Sequence, residues 1–288
     1  MKTMRQAAAL VKGLARMLAI LLLVLLGSTV LVRFAPGYLS DAREMDSRYA
    51  GAARAELSAE AARSQSLAQM FASEIGGWAH GDAGLSRQYG VPVFELIRPR
   101  LAVTGGLLLR SLVLAWVLAI VASLVSSAGR NPSLFWQTPA TLLLAVPTAA
   151  MATLCLLANY GGPVLVMALL LAARDFKFLH RTLRKAWLDP HVLQARAQGI
   201  ATPRLLLKHI LPGIASQLAA LASLSIVTAL SALVPAEVIF NVPGLGQLAW
   251  NAAMNRDLPV LLAITMIMAL AVTCAGIAPD RPAELESA

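Results

Sequence analysis

The sequence predicts an all-α, polytopic membrane protein built as a helical bundle, and three observations support this. Hydrophobic residues make up 58% of the 288 residues and charged residues only 14%. The mean hydropathy is +0.69, whereas soluble domains contain about 45–50% apolar and about 25% charged residues. The apolar residues also fall into long runs separated by short charged segments. A chain of this kind is expected in a membrane.

Six of these runs predict about six transmembrane helices, because a bilayer core of about 30 Å requires roughly 20 apolar residues per helix. The predicted spans are Leu14–Val32, Leu101–Val125, Leu134–Ala158, Pro163–Ala173 extended by Phe176 to Leu179, Ile214–Pro235 and Leu258–Ile277. The fourth run is short and ends in charges, which favours a half-buried helix that leaves the membrane early. A cleaved signal peptide is the alternative for the first run, but no small-x-small cleavage site follows it.

Basic residues orient the spans, because Lys and Arg accumulate on the cytoplasmic side of short loops. The inside-type residues are Lys2, Arg5, Lys12, Arg16, Arg174, Lys177, Arg181, Arg184, Lys185, Arg196, Arg204 and Lys208. Basic and acidic residues are nearly balanced between positions 35 and 100, which is typical of an external segment. The N-terminus is therefore predicted to be cytoplasmic, and segment 188–213 lies on the same side.

The predicted organisation has four parts. Residues 1–33 form a cytoplasmic start and the first span, 34–100 an external helical segment, 101–277 the transmembrane core, and 278–288 a short polar tail. In the external segment, Gly81–Gly84 predicts a turn that leads to a lateral approach from Pro92 to Arg100. Segment 237–259 predicts a second external element, either re-entrant or a plain interfacial turn, in which Pro243, Gly244 and Gly246 fix a tight turn.

Within the core, residues 188–213 predict two short helices joined by an elbow. Asp189 and Pro190 form the start signal of a helix, and Gly199 stands where a left-handed residue would end it. Thr202 and Pro203 repeat the start signal. Two helices joined at a fixed angle would make a rigid cytoplasmic projection.

Pro147 and Pro235 are expected to kink the third and fifth spans. Arg110, in the second span, is the one ionisable residue that the sequence places clearly inside the membrane. It either lines a translocation path or snorkels outward toward Arg98 and Arg100.

Several function classes are excluded by the sequence. The net charge of +9 belongs to membrane-flanking loops, and no aromatic-interleaved basic patch predicts nucleic-acid binding. No Lys follows a Gly, so the phosphate-binding loop of ATPases is absent. No catalytic triad, HExxH pattern or metal-ligand spacing is found, and both cysteines lie in apolar runs. We predict a protein that is not an enzyme and binds no metal or cofactor.

Four motifs resemble those of ABC importer permeases of the dipeptide, oligopeptide and nickel group. ARAQG, followed after nine residues by HILPG, resembles the EAA loop, which in that family inserts into a cleft of the ATPase. WAHGDAGLS, PVFELIRPRL and EVIFNVPGLG with NRDLPV resemble other motifs of the group in the same order. The resemblance covers most of Leu26 to Ala271. It implies an inner-membrane permease subunit that imports peptides or a similar small solute.

The resemblance also implies particular roles and partners. The implied ATPase-coupling residues are Val192, Leu193, Ala195, Arg196, Ala197, Gly199, Pro203, Lys208, His209, Leu211 and Pro212. Among them, the first two would offer an apolar contact and the two alanines would allow close approach. The implied external mouth comprises Gly81, Asp82, Gly84, Ser86, Pro243, Gly244, Leu245 and Gly246. The implied partners are a second permease, two cytoplasmic ATPases that use ATP and Mg²⁺, an external solute-binding protein and membrane lipid.

The chain departs from the family in three places. Leu193-Gln194-Ala195 replaces the Glu that names the EAA motif, which is ordinary for the peptide subgroup. Only Asn159–Pro163 joins the third and fourth spans, where relatives carry a longer external insertion. The C-terminal sequence lacks the tyrosine-bearing tail and DPR-like sequence of relatives. The short loop favours the alternative, a non-transporting membrane scaffold that retains ATPase docking alone.

Overall fold

A computed structural model describes residues 11, 13, 15–27, 30, 75–78, 80–128 and 133–276. The regular structure of these residues is helical, apart from one isolated bridge between Leu85 and Pro92. The main helices are α1 Ala15–Gly27, α2 Val93–Ala128, α3 Ser133–Ala145, α4 Thr148–Leu157, α5 Pro163–Trp187, α6 Pro190–Ala197, α7 Thr202–Leu205, α8 Leu211–Gly213, α9 Ala215–Ile239, α10 Leu245–Met254 and α11 Leu258–Gly276. A π-helical turn, Leu206–Ile210, joins α7 to α8. The predicted all-α class is confirmed.

The structure does not confirm six spans. Among the described residues, three helices are long and apolar enough to cross a bilayer, namely α2, α9 and α11, and a bent pair formed by α3 and α4 raises the number to four. Helix α1 is shorter, and the rest of the first predicted span lies outside the described residues. The predicted external helices between 41 and 75 also lie almost wholly outside them.

Proline has different consequences in the two spans that were predicted to kink. At Pro147 the chain leaves the helical conformation, and α3 and α4 meet at 96°. Pro235 instead lies inside α9, which continues to Ile239. A second difference is at the start of α2, which begins at Val93 rather than at Leu101. The residues from Val93 to Arg100 form the first turns of α2, and their lateral approach stays a prediction.

Helix α5 is strongly amphipathic, which explains why its apolar run is short. One face is buried along the whole helix, from Val166 near the start to Ala186 near the end. The other face carries charged residues, including Arg184 and Lys185 in the last turn. The fourth predicted span is therefore the apolar beginning of a helix that continues as a basic, half-buried one.

The described residues form two compact units. One combines those up to Val103 with Pro243–Cys274, and the other is Thr104–Val242 with the last two described residues. The core of the first unit joins the start of α2 to α10 and α11, and consists of Val93, Ile97, Leu245, Leu248, Ala252, Val260, Ala263 and Ile264. The core of the second unit joins α5, the segment 188–213 and α9.

Candidate functional site

One candidate site is segment 188–213, which the charge pattern predicts to be cytoplasmic; it is hereafter named the coupling segment for its expected role. Helix α6 begins after Asp189, whose extended backbone makes it the N-cap although its side chain forms no capping bond, and Pro190 takes the first helical position. The helix ends at Gly199, with φ of 78°. The Gly199 N–H donates to the Arg196 carbonyl at 3.0 Å, and the Ile200 N–H to the Ala195 carbonyl at 3.4 Å. This is a Schellman ending, so the left-handed conformation predicted for Gly199 is confirmed.

The second helix of the segment begins one residue earlier than predicted. Ala201 occupies the N-cap position, which makes Thr202 the first helical residue and Pro203 the second. Thr202 is therefore not the cap. The helix then widens into the π-helical turn that contains Lys208 and His209, before the short α8, which contains Leu211 and Pro212. Single π-helical turns are rare and occur often at functional sites.

The coupling segment is packed against the helices on both sides of it. Its buried residues share one cluster with the end of α5 and the first half of α9: Leu179, Leu183, Ala186, Val192, Ala195, Leu205, Ile210, Ile214 and Leu221. These side chains come from α6, α7 and the π-helical turn, and Leu211 of α8 packs against them, so the two short helices share one core. This packing is what a rigid element requires, and the rigid cytoplasmic projection stays a prediction.

The same packing corrects two of the expected roles. The side chains of Val192 and Ala195 are only 1% and 7% exposed, because they belong to the core of this chain. They therefore anchor the segment and cannot offer the apolar contact or the close approach expected of them. The expected coupling residues at the surface are Leu193, Arg196, Ala197, Gly199, Pro203, Lys208 and Pro212, whereas His209 and Leu211 are half-buried. Leu207, which sequence reasoning missed, is 64% exposed.

The first half of the expected external mouth is a tight loop that precedes α2. Gly81 and Gly84 both have left-handed backbones, with φ of 75° and 80°. The Asp82 carboxylate accepts a hydrogen bond from the Gly84 N–H at 2.8 Å, which closes a turn of the Asx type. Ser86 follows, and its side chain is buried. The turn predicted at 81–84 is confirmed.

Asp257 holds this loop in place, although it was not singled out from the sequence. Its side chain is buried and immediately precedes α11. The carboxylate accepts hydrogen bonds from the Ser86 hydroxyl and from the backbone N–H groups of Arg87 and Gln88, the latter two at 3.1 and 3.2 Å. The GDAGLS and NRDLPV motifs are therefore joined by one carboxylate. The resemblance of both motifs to one family was the only sequence signal that linked them.

The second half of the expected mouth is built differently from the prediction. Asn241, rather than a glycine, adopts the left-handed conformation, with φ of 51°, and ends α9. Gly244 is the extended N-cap of α10, and Pro243 precedes it. Gly246 lies inside α10, and both it and Leu245 are buried. The tight turn expected from Pro243, Gly244 and Gly246 is therefore wrong, because a helix begins there.

Arg110 is exposed, and its guanidinium lies beside Gly106, one turn toward the external start of α2. This orientation is the one expected of outward snorkelling.

Two carboxylates near the ends of predicted spans are buried. The assignment of Arg110 as the one ionisable residue clearly inside the membrane stays a prediction. Glu237 is fully buried in the last turn of α9 and accepts a hydrogen bond from the Thr104 hydroxyl at 2.7 Å. The buried Asp175 forms an ion pair with Arg174 at 2.8 Å. The sequence missed both carboxylates because it placed them at the ends of their spans.

His180 lies in α5, beyond the apolar part of the helix, and links it to the end of α2. Its Nδ1 atom is 2.9 Å from the Ser126 hydroxyl. Its Nε2 atom is buried and has no hydrogen-bond partner among the described residues. Burial, reinforced by the Arg184 guanidinium, lowers the pKa of His180 below its ordinary 6.5, so the neutral imidazole is favoured.

Comparison with known proteins identifies the family to which these features belong. The family described as binding-protein-dependent transport system inner membrane component matches residues 104–281. The chain belongs to this family. The match includes α9 and the entire coupling segment.

Three curated permeases show the range of relatives. The oligopeptide transport system permease protein AppB of Bacillus subtilis is 29% identical over 72% of this chain and 75% of its own length. The metal-staphylopine import system permease protein CntB of Staphylococcus aureus is 28% identical over 65% and 66%. The glutathione transport system permease protein GsiC of Escherichia coli K12 is 25% identical over 72% and 74%. The chain is therefore an ABC permease of the peptide and nickel type, and a multi-pass inner-membrane protein.

Proposed function

We propose that the chain is a transporting permease subunit whose coupling segment docks on separate ATPase subunits. The observation that carries this proposal is the packing of the segment between α5 and α9. ATP-driven motion can be transmitted only through an element that moves as a unit. The cluster around Val192 and Leu205 supplies that rigidity. The exposed face adds apolar and basic groups, such as Leu193 and Arg196, that suit an acidic, partly apolar cleft.

The proposed assembly contains a second permease, two cytoplasmic ATPases and an external solute-binding protein. Between 17% and 28% of the most apolar window of α2, α9 and α11 is buried within this chain. The remaining surface is available to lipid and to a second permease. The chain itself would bind no cofactor, since ATP and Mg²⁺ would be used by the ATPases. The binding protein is proposed from the description of the family.

The proposed solute is a peptide or a similar small molecule, moved inward. Support comes from the named relatives, whose solutes are oligopeptides, glutathione and a metal–staphylopine complex. These solutes are small and polar but differ in charge and shape. The proposal therefore specifies a size class rather than a single compound.

The test is an affinity purification of the tagged chain from detergent-solubilised membranes, followed by mass spectrometry. We expect recovery of a second permease and of ATPases with phosphate-binding loops. Gly199→Pro should abolish ATPase recovery, because proline requires φ near −65° and lacks the N–H that bonds to the Arg196 carbonyl. Gly213→Ala is the matched control, since an added Cβ meets no atom within 4 Å and φ is not positive there.

The outcomes separate the alternatives. ATPase recovery that is lost with Gly199→Pro and retained with Gly213→Ala supports coupling through the segment. Recovery of ATPases without a second permease would favour the non-transporting scaffold. If wild-type chain recovers neither partner, or if Gly199→Pro still recovers ATPases while membrane insertion is unchanged, the coupling role is refuted.

A further inference from the structure

A charged fork joins α5 to the middle of α9. The Arg174 guanidinium donates to the Asp175 carboxylate at 2.8 and 3.2 Å. It also reaches across to α9, where it donates to the Thr228 hydroxyl, to the Leu224 carbonyl at 3.3 Å and to the Ser225 hydroxyl at 3.2 Å. The Ser225 hydroxyl in turn donates to Asp175 at 2.8 Å. Every polar group in the fork therefore has a partner on the other helix or within the ion pair.

The depth of the fork makes its presence costly. Residues 224–228 lie at the middle of Ala215–Ile239, one of the helices long enough to cross the bilayer. A charged side chain at the centre of a bilayer costs several kcal/mol unless it is paired. Replacing a buried ion pair with apolar residues of similar volume is often neutral or stabilising. Stability alone is therefore a poor explanation for the fork.

A better explanation is that the fork fixes the register of α9 against α5, because the shapes of the α9 side chains do little to define that register. Its sequence from Ala215 to Val234 consists largely of Ala, Ser and Leu, and small, similar residues allow neighbouring helices to pack in more than one alignment. The planar Arg174 guanidinium donates to two hydroxyls and one carbonyl of α9. These bonds can form together in only one alignment of α5 and α9. Fixing register is the best-attested role of buried polar groups.

The fork and the coupling segment together fix α5 and α9 at two places. The cluster around Leu183, Val192 and Leu221 joins the helices at the end where the segment lies. Arg174 joins them again near the middle of α9. The cluster on α9 reaches Leu221 and the fork begins at Leu224, so the two attachments are adjacent and together oppose sliding and rotation more than either alone.

We propose that Arg174 is a positioning residue that sets the register of α9 against α5, so that both helices follow the coupling segment as one body. The second part of this proposal rests on the proposed function. Without the fork, motion of the segment would be lost as slippage between the two helices. With it, displacement reaches the far end of α9 at Ile239.

The experiment measures the distance between spin labels on α5 and α9. Phe178→Cys and Ser231→Cys provide exposed labelling sites in a chain whose Cys155 and Cys274 are replaced by alanine. Double electron–electron resonance is recorded on the membrane-inserted chain in lipid nanodiscs. Thr228→Val removes the hydroxyl at nearly constant volume, and Thr228→Ser restores it. Ser223→Ala is the control, because that hydroxyl bonds only to the Ala219 carbonyl of its own helix.

We expect a narrow distance distribution in the wild type, in Thr228→Ser and in Ser223→Ala. Thr228→Val and Arg174→Lys should broaden and shift the distribution without reducing the amount of inserted protein. A purely stabilising role would lower the yield or the melting temperature and leave the distance unchanged. Distributions that match the wild type in both variants would overturn the register role, whether or not any ATPase binds.

A second arm tests transmission in the complex of the chain with its co-purified ATPases. Trapping with ATP and vanadate should leave the wild-type distance unchanged, because α5 and α9 move together, and should shift it in Thr228→Val. A wild-type distance that changes on trapping would refute the single-body motion. Failure to recover ATPases at all would refute the proposed function instead, while the first arm still decides the register role.

Discussion

The Ser86 hydroxyl donates a hydrogen bond to the buried carboxylate of Asp257, which lies 171 residues away in the chain. This contact attaches the loop that precedes α2 to the start of α11.

Asp257→Asn should loosen the external loop. The amide has one acceptor oxygen in place of two, so the donors from Ser86, Arg87 and Gln88 cannot all be satisfied, at a cost of about 1–3 kcal/mol. We expect faster tryptic cleavage after Arg87 in detergent, measured by mass spectrometry. Thr265→Val is the control, since its hydroxyl bonds only within α11. Equal cleavage rates in the two variants would contradict the proposed attachment.

Gly199→Ala should destabilise the chain through its backbone alone. An added Cβ meets no atom within 4 Å, but φ is 78°, and an L-residue in the left-handed region costs about 1–2 kcal/mol. The melting temperature of the purified chain should therefore fall. Gly213→Ala, in a position of ordinary φ, should not lower it. A similar fall in both variants would mean that the elbow is not the source of the effect.

Val192→Ala and Leu193→Ala should separate folding from partner binding. Val192 is 1% exposed within the core, so truncation should cost about 2 kcal/mol of stability. Leu193 is 45% exposed, so its truncation should leave the melting temperature unchanged and reduce ATPase recovery. Both quantities can be measured on the same purified samples. The reverse assignment of effects would place the binding surface on the opposite face of α6.

The stability of the chain should decrease as the solution is acidified, because the pKa of His180 is lowered by burial and by Arg184. The unfolded chain binds a proton near pH 6.5, whereas the folded chain resists it. Stability is therefore greatest above that pH and is lost as the pH falls through it toward the lowered pKa. Chemical unfolding at about pH 7.5 and about pH 5.5 measures the difference. His180→Asn should reduce this pH dependence.

Local signals in the sequence predicted the structure well where one residue determines the backbone. Gly199 ends α6 because glycine alone tolerates the left-handed region without strain, and Pro147 breaks a helix because it lacks an N–H. Pro235 did not break α9, and composition does not reveal which prolines a helix absorbs. The start of α2 was missed because Arg98 and Arg100 made its first turns appear too polar for a span.

The remaining features depend on contacts between distant parts of the chain. The resemblance gave Val192 an apolar contact with a partner, whereas its side chain is buried in the core of this chain. A short helix flanked by two long ones can bury either face. Asp257 and Glu237 were overlooked for a similar reason. A carboxylate at the end of an apolar run looks solvated until its partner, in these cases Ser86 and Thr104, is known.

Under the proposed function, the two faces of the coupling segment would let the chain change partners without refolding. Val192 and Leu205 pack in the core of the permease, which limits the substitutions that these positions tolerate. The side chains of Leu193 and Lys208 are instead exposed at its surface. Substitutions on the outer face can therefore accumulate at little cost to the permease. A duplicated transporter could diverge to use its own ATPase by drift on this face alone. The same separation would allow an engineer to transplant the outer residues of one transporter onto another.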